Sequence, residues 1–427
     1  MGKTRVWIPL AVVCVMAVGP VLASGFSIYE QSAKASGRAG AWVARADDAA
    51  ANWYNPAGLV RLDDGFQVQF GINVIPIGKD SDFTVTDPFY MGVIGQAPPA
   101  TYSGVENLAT PINLYFSHKV NDRIAWGVGI TTPFGLITEW EDLPVTSSAK
   151  RSELVTFVVN PNVSFALGEQ WSIAIGVDYI HADVKEFSRL VNVNPAPPPL
   201  VWDESNLTGS GDDWGWNFAL RWANERWAAG FTYRSELSPS IDGELEFANT
   251  PVLNSGGTTA LDLPAQAAIA VSWMIAEDFE LEFDLAYAGW SSFEELNIKV
   301  DNPLVDDIVL EENWSNTYSY RIGGNWALAE KHNLRYGVVY DEAPVPSETM
   351  RPSIPDGDRV GISLGYGFLA EKWGLDFYLM PLFFEDATAT GDPAGKPFPG
   401  NDDVDGVIDG KYESMTTLFG LSFNFKF

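Results

Sequence analysis

Cysteine is nearly absent from this chain: its one example, Cys14, lies inside an apolar N-terminal run. Met1 to Ala23 has the form of a secretory signal, with Lys3 and Arg5 ahead of the apolar stretch from Val6 to Val18, then Val21-Leu22-Ala23 before Ser24. Cleavage after Ala23 is expected, and it leaves a mature chain without disulfides or thiol metal sites. Histidine is scarce as well. His118, His181 and His332 belong to separate strands or turns, with no HExxH and no paired ligand spacing, which argues against a metal centre or a histidine-based triad. Beyond the signal no run approaches about eighteen consecutive apolar residues, so spanning helices are excluded. Positive charge is short too: 26 Lys and Arg stand against 56 Asp and Glu, a formal net charge of -30. Such acidity repels phosphates and argues against a nucleic-acid partner.

Aromatics make up 13% of the chain, charged residues only 19%, and the mean hydropathy is near zero. That suits a protein with one lipid-facing and one water-facing surface, its apolar and polar side chains interleaved. From Leu62 onward the residues alternate in strand after strand. Strands are expected to begin near Phe66, Ile112, Ile124, Leu154, Trp171, Asp213, Trp227, Ala265, Phe279, Tyr318, Leu334, Arg359, Trp373 and Lys411. Phe279, Leu281, Phe283, Leu285 and Tyr287 share one face while Glu280, Glu282 and Asp284 share the other. Phe419, Leu421, Phe423, Phe425 and Phe427 repeat the scheme at the C-terminus. An exported chain of this kind without spanning helices leaves the closed barrel, because only closure satisfies every backbone group in lipid.

The connections agree. Tight turns such as Asn121-Asp122-Arg123, Gly168-Glu169-Gln170 and Glu330-Lys331-His332 alternate with long Pro-, Asp- and Gly-rich stretches, among them 78–109, 135–152, 190–211 and 386–410. Trp126, Trp171, Trp222, Trp227, Trp273, Trp326 and Trp373 all lie near short turns and predict one interfacial girdle. The stretch from Ser24 to Leu62 is different. Asp47 or Asp48 can cap a short turn over Ala49-Ala50-Ala51, and Asn55 can cap another with Pro56 in its first position. A small helical plug with a barrel around it is the expectation.

Other motifs carry less. Gly361-Ile362-Ser363-Leu364-Gly365 matches the GxSxG elbow of serine hydrolases but sits within a strand, whereas the elbow needs a strand-to-helix turn. Asn401, Asp403 and Asp405 resemble the first half of a calcium loop, yet Tyr412 stands at the twelfth position and the flanks are strands; a solvated acidic loop is the simpler reading, and loose divalent bridging to lipopolysaccharide a further one. Pro133 and Pro161 interrupt neighbouring strands. They mark bulges or a strand end, or else a deliberate gap in the wall.

Ser24-Gly25-Phe26, Ser36-Gly37-Arg38-Ala39-Gly40, Ala46-Asp47-Asp48-Ala49 and Asn55-Pro56-Ala57 together resemble the FadL-type outer-membrane transporters of long-chain fatty acids and other hydrophobic compounds (OmpP1/FadL/TodX). Thr131 to Leu136 and Pro352 to Arg359 agree with that likeness. The resemblance implies an all-β fold: a transmembrane antiparallel barrel of about 14 strands closed by an N-terminal hatch, with 1–23 as signal, 24–62 as hatch and 63–427 as barrel. It implies that Ser24, Gly25 and Phe26 line a hydrophobic pocket, and that Asn55, Pro56 and Ala57 lie near a side opening at a kink of the third strand, Thr132, Pro133, Phe134 and Gly135. The family's carboxylate-binding residues have no matching motif here.

Passive import of a hydrophobic small molecule across the outer membrane of a Gram-negative bacterium is therefore the leading expectation. It needs no cofactor, and a monomer in contact with outer-membrane lipid and lipopolysaccharide. A lipid-modifying enzyme and a water-filled porin are the alternatives.

Overall fold

The computed structural model describes residues 25–193, 201–391 and 407–427. Fourteen antiparallel strands form a closed barrel. In chain order they are β1 (Gly65–Ile77), β2 (Ile112–Asn121), β3 (Ile124–Thr131, resuming as Gly135–Glu139), β4 (Arg151–Leu167), β5 (Trp171–Asn192), β6 (Trp202–Ala223) and β7 (Trp227–Arg234, continued by Ser240–Phe247). There follow β8 (Ser255–Ala260 and Gln266–Ala276), β9 (Phe279–Ala288 and Glu295–Val300), β10 (Ile308–Glu311 and Thr317–Ala329), β11 (His332–Asp341), β12 (Arg359–Leu369), β13 (Trp373–Phe384, then Ala387–Ala389) and β14 (Gly410–Lys426). Each pairs with its sequence neighbours, and β14 pairs with β1 from Gln67↔Lys426 to Val74↔Phe419, which closes the ring.

Burial inverts the rule for soluble proteins. On β9, Phe283 is 42% exposed while its neighbours Glu282 and Asp284 are fully buried. The same alternation sets Phe423 and Phe425 outside and Ser422 inside on β14. A lipid-facing wall around a polar interior requires this pattern. The tryptophans near the short turns take one level: Trp171 faces Trp222 across β5 and β6, and Trp227 stacks on Trp273 with ring centroids 5.4 Å apart. A second aromatic level lies towards the long loops, where Trp214 meets Tyr179 at 4.9 Å and Trp216 meets Tyr233 at 5.1 Å. From Trp214 to Trp222 along β6 is roughly 26 Å at ~3.3 Å per residue, about the height of a barrel's apolar band.

The structure departs from the sequence reading beyond that band. β6 begins at Trp202 rather than near Asp213, and most of the stretch 190–211 is paired strand, from Trp202↔Asn192 to Gly211↔Ala182. Above the lipid the outer face is no longer required to be apolar, so Asn206, Thr208 and Ser210 carry no hydrophobic contrast although the backbone ladder continues. Pro161 sits inside continuous β4. The β4–β5 ladder skips there, between Val159↔Tyr179 and Asn162↔Gly176, and the Asn160 side-chain amide donates to the Val177 carbonyl at 3.0 Å. A side chain thus supplies a donor where proline has none.

Residues 25–62 lie within the ring. They form two short helices, Ala33–Ser36 and Ala51–Tyr54, and a 3-10 helix, Pro56–Arg61, whose cap Asn55 accepts from the Ala57 N–H at 3.1 Å. Asp48 accepts from the Ala50 N–H at 2.9 Å. So little regular structure leaves many backbone groups unpaired, and buried groups of that kind need partners. Wall acids on β9 provide them: Asp284 accepts from the N–H groups of Trp42 and Val43 at 2.9 and 3.0 Å, and Glu282 from that of Ala44 at 2.6 Å. Arg38 donates to Glu280 at 2.6 Å and to Glu282 at 3.0 Å. Burial works against its charge, but the two glutamates outweigh burial and hold the guanidinium pKa above its ordinary value. Gly323 and Gly337 let the Arg38 backbone touch the wall, since a Cβ at either would stand 2.1 or 2.5 Å from its carbonyl oxygen.

Candidate functional site: an interrupted wall beside a lumenal cavity

β3 breaks at Thr132–Phe134. Between Thr131↔Val158 and Gly135↔Val155 three residues of β3 face only Thr156 and Phe157 of β4, so the chain bulges inward. Thr156 holds the bulge, its hydroxyl donating to the Phe134 carbonyl at 2.7 Å and accepting from the Phe134 N–H at 3.2 Å. The other edge of β3 is open. Its register with β2 ends at Leu114↔Ile130; beyond it the Thr132 hydroxyl reaches the Ile112 carbonyl at 3.5 Å, and the next backbone bond on that side runs from the Val105 N–H to the Glu139 carbonyl. Among the described residues no backbone ladder joins 131–138 to 106–113. Pro111 and Pro133 flank this stretch, and because neither has an N–H the open edge strands fewer donors beside lipid.

The N-terminal segment pairs with the bulge from inside. The Ile28 N–H donates to the Pro133 carbonyl at 2.7 Å and the Gly135 N–H to the Phe26 carbonyl at 2.9 Å, a bridge centred on Ser27↔Phe134. Gln31 donates to the Thr132 carbonyl at 3.0 Å and its own carbonyl accepts from Tyr115 at 2.9 Å. Phe26 thus meets Phe134 and Gly135 where Ile28 and Gln31 meet Pro133 and Thr132, and Gly25 lines the cavity beside them.

A cavity of about 580 Å³ occupies this corner. Phe26, Phe134, Leu136, Leu382, Phe384 and Leu418 give it an apolar wall. Ile112 and Phe157, each about 40% exposed on the outer surface, line it as well, so the same space borders the lumenal segment and the lipid-facing wall. Phe26 also borders a smaller space of about 60 Å³ on the long-loop side, with Leu136, Leu154, Ile241, Phe293 and Leu310. Its ring stands between the two. It sits in an aromatic cage, with Trp290 at 4.9 Å, Trp314 at 5.6 Å, and Phe134 and Phe293 both at 6.2 Å. Gly25, at φ +57°, brings the chain into the cage and donates its N–H to Asp356 at 2.8 Å; a Cβ there would stand 2.5 Å from the Trp314 ring.

Glu30 and Arg359 are charged members of the lining. Burial raises the Glu30 pKa, with Arg359 opposing. Arg359 is held by Asp341 at 2.9 Å. The sequence reading had not singled out Glu30, Trp290, Phe293, Trp314 or Arg359 as site residues. Arg359 and Asp356 do fall in the Pro352–Arg359 stretch that carries the family resemblance, whereas nothing in the local pattern marks the two tryptophans, which lie outside regular strands.

Asn55, Pro56 and Ala57 lie elsewhere. The Asn55 amide donates to the carbonyls of Val43 at 2.8 Å and Leu220 at 3.3 Å, and the Ala57 carbonyl accepts from Ser172 at 2.7 Å and Ser164 at 3.3 Å. The Val43 bond stays within the lumenal segment; the other three go to β4, β5 and β6 near their short-turn ends, and among the described residues none goes to 132–135. Ser24, Asn401, Asp403 and Asp405 lie outside the described residues. Ser363, centre of the GxSxG match, is buried within β12 and donates to the Ser36 carbonyl, a structural bond to the lumenal segment.

Comparison with known proteins agrees with this architecture. The family model for the outer membrane protein transport proteins, OMPP1/FadL/TodX, matches residues 14–427. A long-chain fatty acid transport protein of Escherichia coli O6:H1 is 27% identical over 394 residues, covering 83% of this chain and 86% of its own. A putative outer membrane protein of Neisseria meningitidis serogroup B is 26% identical, with 96% of each chain covered. Among solved structures, a Pseudomonas aeruginosa FadL homologue superposes with a TM-score of 0.81 at 20% identity, covering 95% of this chain and 100% of that one. The P. putida toluene transporter TodX does so with 0.68 at 15%, covering 95% and 99%. With a closed barrel, a family model spanning nearly the whole chain and relatives aligned over most of their length, this protein belongs to the OMPP1/FadL/TodX family of outer-membrane transport proteins.

Proposed function

We propose that this protein imports hydrophobic small molecules passively, through a lumenal cavity and out sideways into the membrane. The E. coli relative is named for long-chain fatty acids and TodX for toluene, so cargo of either kind is within reach of the family. Residues 24–62 act as a hatch, the N-terminal Ser24, Gly25 and Phe26 close the pocket, and Thr132, Pro133, Phe134 and Gly135 frame the lateral exit. Asn55, Pro56 and Ala57 hold the hatch to the wall and act on the exit only through it. The supporting observation is the cavity shared by buried Phe26 and the lipid-exposed Ile112 and Phe157 at the open edge of β3.

The energetics fit this route. Covering ~200 Å² of an apolar cargo yields about 5 kcal/mol at ~25 cal/mol per Å², enough to capture it and too much for quick release into water. Release into lipid removes that penalty, and withdrawing Phe26 with the strand paired to the bulge changes the pocket's shape. The working unit is a monomer, since the cavity and its side opening are built from one chain, with lipopolysaccharide and lipid as its surroundings. The test is uptake of a radiolabelled alkane or arene by cells whose transporter lacks Pro133, a deletion that leaves two residues facing two. Assembly should be normal and uptake should fall at least tenfold; undiminished uptake refutes the lateral route.

A further inference from the structure

Resting on the lateral-exit reading, we infer that Gln31 sets the width of the side opening: it ties β2 to the bulge of β3 where the wall has no ladder. The Gln31 carboxamide donates to the Thr132 carbonyl of the bulge at 3.0 Å and to the Ile28 carbonyl at 2.9 Å. Its backbone carbonyl accepts from the Tyr115 hydroxyl of β2 at 2.9 Å. Tyr115, paired with Gly129, stands next to the last pair of the β2–β3 ladder, Leu114↔Ile130, and Thr132 lies two residues past that pair. One residue thus joins the two edges at the point where their ladder stops. Both amide hydrogens face carbonyls, so the carboxamide bonds in one orientation alone.

The opening is bonded at both ends and nearly free between them. The ladder closes one end, and the bond from the Val105 N–H to the Glu139 carbonyl, at 2.9 Å, closes the other. Between 106–113 and 131–138, the one direct hydrogen bond among the described residues runs from the Thr132 hydroxyl to the Ile112 carbonyl at 3.5 Å. That is long beside the ~2.7–2.8 Å usual between oxygens. The tie through Gln31 is shorter at each step, and Gln31 and Tyr115 are both fully buried. Its neighbours pin it to the far wall: Gln69 of β1 donates to the Ser32 hydroxyl at 3.0 Å, and the Ala33 N–H donates to Ser422 of β14 at 3.0 Å. The Gln31 backbone therefore cannot follow the bulge, and its side chain limits how far the bulge moves. Ile28 and Thr132 line the cavity, so Gln31 is a positioning residue that acts through them. A linear chain leaves such a slot endwise. A broad planar molecule must part its edges and break the tie.

The experiment measures uptake of radiolabelled pyrene and n-hexadecane by cells carrying the transporter, after subtraction of cells without it, and reads the ratio of the two. Gln31→Met keeps the length of the side chain and removes both donors. Tyr115→Phe removes only the hydroxyl at the other end of the tie. Each should raise the ratio of pyrene to hexadecane about fivefold or more, the scale of one hydrogen bond. A merely structural loss lowers the amount of assembled barrel and both uptakes together, which leaves the ratio where it was. Either variant serves if the other does not assemble, as judged by heat-modifiable migration. A ratio unchanged or lowered in an assembled variant overturns the inference, and the import reading stands so long as deletion of Pro133 still cuts hexadecane uptake. Undiminished uptake after that deletion overturns both.

Discussion

Trp42 shows what a single side chain contributes inside this barrel. Its side chain is wholly buried and packs edge-on against Tyr54 at 5.4 Å, while its backbone N–H donates to Asp284. Trp42→Ala removes that packing from a site the surrounding wall cannot collapse into, and should cost about 3–5 kcal/mol, read as a lower midpoint of heat-modifiable unfolding in detergent. Asp48 gives a pH dependence. Burial raises its carboxyl to about 6 despite Lys34. A carboxyl raised on folding contributes stability that is present below its unfolded pKa and lost as pH rises through the folded one, so the native protein should lose stability between about pH 4 and pH 6. Asp48→Asn keeps the acceptor for the Ala50 N–H and should flatten that loss; an unchanged pH profile of the unfolding midpoint would count against the assignment.

Among the elements, β9 and β3 divide the work between holding and opening. Glu280, Glu282 and Asp284 grip the middle of the lumenal segment through Arg38 and three backbone N–H groups. The bulge of β3, by contrast, is joined to the first residues of the segment by an isolated bridge that a small backbone shift can undo. Replacing Glu282 and Asp284 by Gln and Asn retains acceptors but removes charge, which leaves Arg38 with Glu280 as its remaining acidic partner. Loss of one buried charged partner should loosen the segment, seen as faster protease cleavage between Gly37 and Asp47 than in the native protein. The inward alternation of those three acids is plain in the sequence. What they bind is not, because their partners lie about 240 residues earlier in the chain.

At the scale of the molecule, an empty fourteen-stranded ring would be a pore, since a barrel of this size is not filled by its own wall side chains. Residues 25–62 occupy the space, with small side chains such as Ala35, Ala44, Ala50 and Ala57 buried against the wall. In planar bilayers the native protein should show no steady conductance, whereas a chain lacking 25–62 should conduct. Steady current through the native protein would favour the porin reading instead. The formal charge of -30 acts at the same scale: acidic loops lower the local concentration of anions.

Alternation by itself determined the architecture. Lipid on one side and water on the other impose a period of two that no long-range contact is needed to read, and strand starts at Ile112, Ile124, Trp171, Trp227, Phe279, Arg359 and Trp373 follow from it. The signal weakened wherever lipid stopped dictating the outer face, as in the extended ends of β5 and β6. The prolines announced irregularity at 133 and 161 but could not tell a bulge beside a cavity from one repaired by an asparagine, since the difference lies in what the neighbouring strand and the lumen supply. Only the tertiary structure seated Phe26 in a cage drawn from β3 and from the loops around Trp290 and Trp314, kept Asn55 away from the exit, and surrounded Arg359 with acids. Those contacts join residues far apart in sequence, and only closure of the barrel brings them within bonding distance.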